Sequence, residues 1–100
     1  MAGVIMQLTL EDVKDYLGID YEDPQVIRNI ERKIKVADKM LTGALGENYP
    51  QEDERVQEIA LMIIEDLYYN RGINDKVSNN VRRLFNSMML QIKLDMKSEY

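Results

Sequence analysis

No cysteine and no histidine occurs among the 100 residues of this chain. The absence of cysteine excludes disulfides and thiolate metal sites, and the absence of histidine removes the commonest general base and zinc ligand. The longest apolar run, Ile59 to Ile64, is far shorter than the ~20 residues of a membrane-spanning helix. The N-terminus lacks the basic flank and apolar stretch of a signal peptide. We therefore expect a soluble protein that is made and used in the cytoplasm.

Strand patterns, internal repeats and low-complexity linkers are also absent from the sequence. Apolar residues instead recur every three or four positions in four segments, which is typical of amphipathic helices. Hydrophobic residues make up 45% of the chain and charged residues 31%, as in ordinary globular proteins. We predict an all-α fold, a small bundle of about four helices with one core, in a single domain over residues 1–100.

Capping residues and glycines set the predicted helix boundaries. Threonine, aspartate, serine and asparagine accept hydrogen bonds from the first free amides, and proline suits the first helical position. Glycine commonly ends a helix, and Gly72 follows the third one. The predicted spans are Thr9 to Gly18, Asp23-Pro24 to Gly43 or Gly46, about Glu52 to Asn70, and Ser78, Asn79 or Asn80 towards Lys97.

The apolar stripes of these helices predict a common core. We expect its centre to consist of Ile30, Ile34, Ile59, Ile63, Leu67 and Phe85. The first helix should turn Val13, Tyr16 and Leu17 inward. The inward stripe of the fourth helix should consist of Val81, Leu84, Phe85, Met88 and Ile92.

The net charge of −5 is unevenly distributed. Residues 1–70 carry 7 Lys and Arg against 15 Asp and Glu, whereas residues 71–100 carry 6 against 3. The acidic body disfavours nonspecific phosphate binding, which depends on clustered cations. The basic C-terminal third suits an acidic partner surface, although plain solvation of both regions explains the charges equally well.

Two segments together resemble a known family. The chain opens with Leu8-Thr9-Leu10-Glu11-Asp12-Val13-Lys14-Asp15-Tyr16-Leu17-Gly18-Ile19-Asp20, and its apolar third helix closes with Leu67-Tyr68-Tyr69-Asn70-Arg71-Gly72. In this order and spacing, from about Leu8 to Leu84, the chain resembles the head–tail connector, or portal adaptor, proteins of tailed phages and prophages. Two departures are the short loop from Ile73 to Ser78 and the long final helix without a flexible tail.

The resemblance implies a structural virion protein at the head–tail junction, made in the cytoplasm of a bacterial host. Copies of such a protein form a ring, about twelve-fold by the resemblance, between the portal protein and a tail-side completion protein. DNA passes through the ring during packaging, and an acidic body would keep DNA from adhering. No catalysis, cofactor, metal, membrane or sequence-specific nucleic acid is implied.

Eight residues are the candidates for an oligomer or partner interface. Leu61 falls among the glutamates of the third helix, and Leu90 and Leu94 lie opposite the apolar stripe of the fourth; exposed leucines in such patterns favour an interface. The other candidates are Ile64 and Tyr68 at the edge of the third helix stripe, and the cations Arg71, Arg82 and Arg83.

Each cation also has an ordinary explanation. Arg71 can favour the dipole of its own helix and pair with an acid, for instance one of the first helix. Arg82 and Arg83 can be solvated or bound by Asp75.

Other function classes find little support in the residues. The run Asp20-Tyr21-Glu22-Asp23 lacks the alternation of a calcium loop and reads as a capped helix start. Adjacent acids such as Glu65 and Asp66 point about 100° apart on a helix, so they form no paired site. The third helix is too apolar and acidic for a DNA-recognition helix. The alternative hypothesis is a small helical regulator or adaptor that binds one protein partner.

Overall fold

A computed structural model of the chain describes residues 8–20, 22–69 and 77–97, and within them it contains four α-helices. The prediction of an all-α fold of four helices around one core is confirmed. The helices are α1 (Leu10–Leu17), α2 (Pro24–Leu45), α3 (Glu54–Tyr69) and α4 (Asn79–Lys97).

Helix α1 is fixed at both ends by hydrogen bonds that its own sequence supplies. The Thr9 amide donates to Asp12 Oδ2 at 3.0 Å, and the Asp12 amide donates to Thr9 Oγ1 at 3.1 Å, which forms a capping box. Gly18 ends the helix with φ 75°, a left-handed conformation that glycine adopts without steric cost. Both predicted ends of this helix are confirmed.

Helix α2 begins at Pro24, where Asp23 Oδ1 accepts a hydrogen bond from the Gln25 amide at 2.8 Å. Of the two glycines proposed as its end, Gly46 is the cap (φ 99°), whereas Gly43 lies within the last turn. With 22 residues, α2 is about 33 Å long. It is the longest of the described helices.

Asp53 caps the start of α3, and Ser78, one of the predicted caps, caps α4 through its hydroxyl, which accepts a first-turn amide at 3.4 Å. Helix α3 begins at Glu54, slightly later than predicted, because Asp53 Oδ1 caps it by accepting from the Arg55 amide at 2.8 Å. Ser78 precedes α4, and its amide donates to Asp66 Oδ2 of α3 at 2.7 Å. Asp66 thus ties the start of α4 to the third helix. The predicted stop at Gly72 lies outside the described residues.

The core is continuous through all four helices. Its predicted centre is confirmed, since all six side chains are buried in one cluster. Helices α2 and α3 form the largest helix–helix contact, and α3 also contacts α1 and α4. The buried side chains of α3 are Val56, Ile59, Ala60, Ile63, Ile64 and Leu67.

Two predicted inward faces differ from the structure. Helix α4 buries Phe85, Met89 and Ile92, whereas Leu84 is 47% exposed. The helix is therefore rotated about its axis relative to the prediction, because Met89, at the four-residue step from Phe85, packs inward in place of Leu84. Tyr16 is 41% exposed, since its hydroxyl reaches outward to Glu65 of α3.

None of the helices in the described ranges combines the length and the apolar character that crossing a membrane requires.

We predict that Ile63→Ala lowers the free energy of unfolding by roughly 2–5 kcal/mol, because it leaves a cavity at a fully buried position. Chemical denaturation monitored by circular dichroism measures the change. Leu84→Ala is the matched control and should cost less than about 1 kcal/mol, since much of that side chain is already in water. A loss below about 1 kcal/mol for Ile63→Ala would show that α3 is not central to the fold.

Candidate functional site

The outer face of α4 exposes two leucines. Leu90 and Leu94, one helical turn apart, are 61% and 59% exposed. They project from the side opposite Phe85, Met89 and Ile92, which pack into the core. Single exposed leucines are common on soluble proteins, but a pair on adjacent turns forms a contiguous apolar spot. We call Leu90, Leu94 and Arg83, which is on the same side of the helix, the α4 outer face.

Two cations stand at the beginning of α4. Arg82 and Arg83 are exposed, and neither forms an ion pair among the described residues. The positive end of the helix dipole disfavours cations there, so their position is not explained by helix stability. Asp75, the partner considered from the sequence, lies outside the described residues. The two guanidinium groups are therefore available to an anionic surface.

The candidates on α3 divide by burial. Ile64 is fully buried in the core of the single chain, because α3 is covered by all three other helices, so it offers a partner no surface there. Leu61 and Tyr68 are partly buried and pack against the core while keeping an outer edge. The Tyr68 ring also meets Tyr69 edge-on, with centroids 5.1 Å apart. Arg71 lies outside the described residues.

A row of cations on α2 was missed by the sequence analysis. Arg28, Arg32, Lys35 and Lys39 follow each other at steps of four, three and four residues, and all are exposed. They lie opposite the buried face of α2 and extend about 16 Å along it. Within the described residues none of them forms an ion pair. We call these four residues the α2 cationic stripe.

The spacing of the stripe was visible in the sequence, but charge totals concealed it. The α2 segment also contains Glu31 and Asp38, which reduce its net charge when residues are only counted. Placing each charge on the helical period would have separated the cations from these acids.

Helix α3 carries a row of acids with the same spacing. Glu54, Glu58 and Glu65 are exposed, and the partly buried Leu61 occupies the remaining position of the steps four, three and four. The position of Leu61 among the glutamates of this helix was predicted from the sequence. We call these four residues the α3 acidic stripe.

Helix α1 lies beside the α3 acidic stripe. The Tyr16 hydroxyl donates to Glu65 Oε1 at 3.4 Å. Burial, then the negative charge of Glu65, then that of Glu58, raise the pKa of Tyr16 above its usual value. The Tyr16 hydroxyl therefore lies within the electrostatic field of two of the three carboxylates of the stripe. The three glutamates together make this side of α3 negatively charged.

Arg55 connects the start of α3 to the end of α4. Its Nη1 donates to Asp95 Oδ2 at 2.6 Å, and its Nη2 donates to Asp53 Oδ2 at 2.8 Å. The hydrogen bond from Arg55 lowers the pKa of Asp53. Both acids are engaged by one guanidinium, so this cluster links the start of α3 to the end of α4.

A pocket of about 350 Å³ adjoins this cluster, lined among others by Tyr49, Arg55 and Asp95. The Tyr49 hydroxyl donates to Asp38 Oδ1 at 2.5 Å, and burial together with this carboxylate raises the pKa of Tyr49. The Tyr49 hydroxyl, the Arg55 guanidinium and the Asp95 carboxylate are thus already hydrogen-bonded within the chain, which indicates a structural role. Among the described residues no cluster of three or more acidic side chains is arranged to hold a metal ion.

Comparison of the chain with protein-family models, with curated proteins and with solved structures finds no match. Function is therefore inferred from the surfaces described above and from the two motifs at Leu8–Asp20 and Leu67–Gly72.

We predict that Arg55→Met lowers the thermal unfolding midpoint at pH 7, and that its difference from the native chain shrinks as pH falls below about 4. The pKa of Asp53 is lower in the folded chain than its ordinary value of 3.8, which applies to the unfolded chain. As the pH falls through this range, the unfolded chain therefore binds more protons than the folded chain. The stabilisation by the Arg55–Asp53 pair is lost on acidification for this reason.

Scanning calorimetry between pH 7 and about pH 3 measures this difference. Arg82→Met is the control, because Arg82 has no ion pair in the described part of the chain and its replacement should not alter the pH dependence. An unchanged difference between Arg55→Met and native protein at all pH values would contradict the prediction.

Proposed function

We propose that this chain is a structural assembly protein of the head–tail connector type, in which copies form a ring between a portal protein and a tail-side completion protein. The α4 outer face carries the proposal. It presents Leu90 and Leu94 to solvent, with Arg83 on the same side of the helix about two turns before Leu90, a combination that fits an apolar spot with an acidic border.

The portal protein is the proposed occupant of the α4 outer face. Arg82 and Arg83 have no ion pair among the described residues, so an acidic partner surface would complement them without displacing an existing contact. The resemblance to connectors implies a portal contact through the C-terminal segment, and the long final helix departs from the family's pattern at that segment. DNA passing through the ring would meet a protein of net charge −5, which opposes adhesion.

The alternative is a small helical adaptor that binds a single protein partner. The modest size of the α4 outer face favours it, since two leucines can be covered by one helix of a partner. Stoichiometry separates the two functions. A connector gives a closed multi-subunit complex on the portal, whereas an adaptor gives a one-to-one complex.

We predict that Leu90→Ala combined with Leu94→Ala weakens binding to purified portal protein about tenfold or more, because each leucine loses on the order of 1.5 kcal/mol of burial. Chromatography with light scattering measures the mass and stoichiometry of the complex, and biolayer interferometry measures its affinity. Leu84→Ala, which removes a leucine outside the α4 outer face, should bind portal as the native chain does.

Absence of any complex between the native chain and either flanking protein would contradict the connector function. A one-to-one complex with the portal would favour the adaptor. Circular dichroism of every variant must show native helicity.

We also predict that Arg82→Ala combined with Arg83→Ala slows association with portal, mainly at low ionic strength, because exposed charges act over about a Debye length. Association rates across a salt series measure this effect. The difference from the native chain should disappear at high salt. Equal association rates of the variant and the native chain at every salt concentration would show that Arg82 and Arg83 are solvated surface residues without a role in portal binding.

A further inference from the structure

The two charged stripes form a complementary pair. The α2 cationic stripe (Arg28, Arg32, Lys35 and Lys39) and the α3 acidic stripe (Glu54, Glu58, Leu61 and Glu65) share the steps four, three and four. Each therefore extends about 16 Å along its helix. Two rows of equal length and opposite charge can be aligned along their whole extent.

We propose that the α2 cationic stripe of one copy binds the α3 acidic stripe of the next copy, head to tail. This inference rests on the proposed assembly function, because it supplies the contact that links the copies.

The stripes need a partner from outside the single chain. The four cations have no ion pair within the described residues, although the same chain carries three exposed glutamates at the matching spacing. The charged residues of each stripe lie opposite the buried face of their helix, and α2 and α3 pack against each other through those buried faces. The two stripes therefore point away from one another and cannot pair within one molecule.

Leu61 gives the contact an apolar centre. Its partly buried side chain lies between Glu58 and Glu65, where the aliphatic stems of arginine and lysine from the next copy can cover it. Burial of these stems would add a hydrophobic contribution to charge pairs that are individually weak.

The arrangement also determines the type of assembly. A contact between two different surfaces on opposite sides of a subunit is heterologous, and its repetition gives a closed ring or an open filament. A second copy fits the cationic stripe better than nucleic acid does. The net charge of the chain is −5, so its other residues repel the phosphates of a nucleic acid that approaches the four cations.

A charge-swap experiment tests the proposal. Arg28→Glu with Lys39→Glu reverses the two ends of the cationic stripe, and Glu54→Lys with Glu65→Lys reverses the two ends of the acidic stripe, which face each other in either alignment of the two rows. Each pair alone should weaken self-association at least tenfold in sedimentation velocity at about 20 mM salt, where charges are weakly screened. A chain that carries all four substitutions has the native net charge and should associate within about threefold of the native chain.

The matched control separates complementarity from net charge. It combines Arg28→Glu and Lys39→Glu with Asp15→Lys and Asp20→Lys, which are exposed acids outside the acidic stripe. This chain also has the native net charge, but it should remain dissociated. Circular dichroism verifies the fold of each variant.

Three outcomes would overturn the inference: a native chain that is monomeric at every concentration, a four-substitution chain that stays dissociated, and a control that associates like the native chain. Binding of duplex DNA that is lost with Arg28→Glu and Lys39→Glu and not regained in the four-substitution chain would assign the cationic stripe to nucleic acid instead. Loss of portal binding with self-association intact would contradict the proposed function and leave this contact standing.

Discussion

Burial of α3 by all three other helices is the constraint on which the rest of this structure depends. Six of its 16 residues are buried, four of them fully buried branched side chains, so the helix has one face that must be covered. In a chain of 100 residues with no disulfide, this apolar contact is the main source of stability. The positions of α1, α2 and α4 follow from the part of α3 that each of them covers.

The coverage of α3 explains where polar contacts occur. Asp66 receives the amide of Ser78 and so fixes the start of α4. Arg55 bridges Asp53 and Asp95, which holds the other end of α4 near the start of α3. Tyr69 donates to the Leu17 carbonyl at 2.9 Å and closes α1 onto the end of α3. These bonds determine the register of the helices, whereas the apolar contacts determine that they associate.

The same packing leaves the three proposed contact surfaces outside the core. Helices that bury one face expose the opposite one, so α2 presents cations, α3 presents glutamates and α4 presents two leucines. A protein that assembles through several sides needs distinct chemistry on each. Here charge would select the neighbouring copy, and an apolar spot would select a different protein.

The sequence by itself determined the local structure of this protein. Thr9, Asp23 and Gly18 specify helix ends through bonds to residues two to four positions away, and the periodic isoleucines specify a buried face. Such effects act within one or two helical turns, so they can be read from neighbouring letters.

Only the tertiary structure decided which candidates reach the surface. The rotation of α4 exposes Leu84 and buries Met89, and the crowding around α3 buries Ile64, because both depend on side chains brought together from distant segments. The pairing of Tyr16 with Glu65 likewise spans 49 positions. The spacing of the charged residues in the α2 and α3 stripes is visible in the sequence. That spacing assigns each stripe to one face of its helix but does not say what covers the opposite face. The placement of the two stripes on opposite sides of the molecule therefore follows only from the packing of α2 against α3.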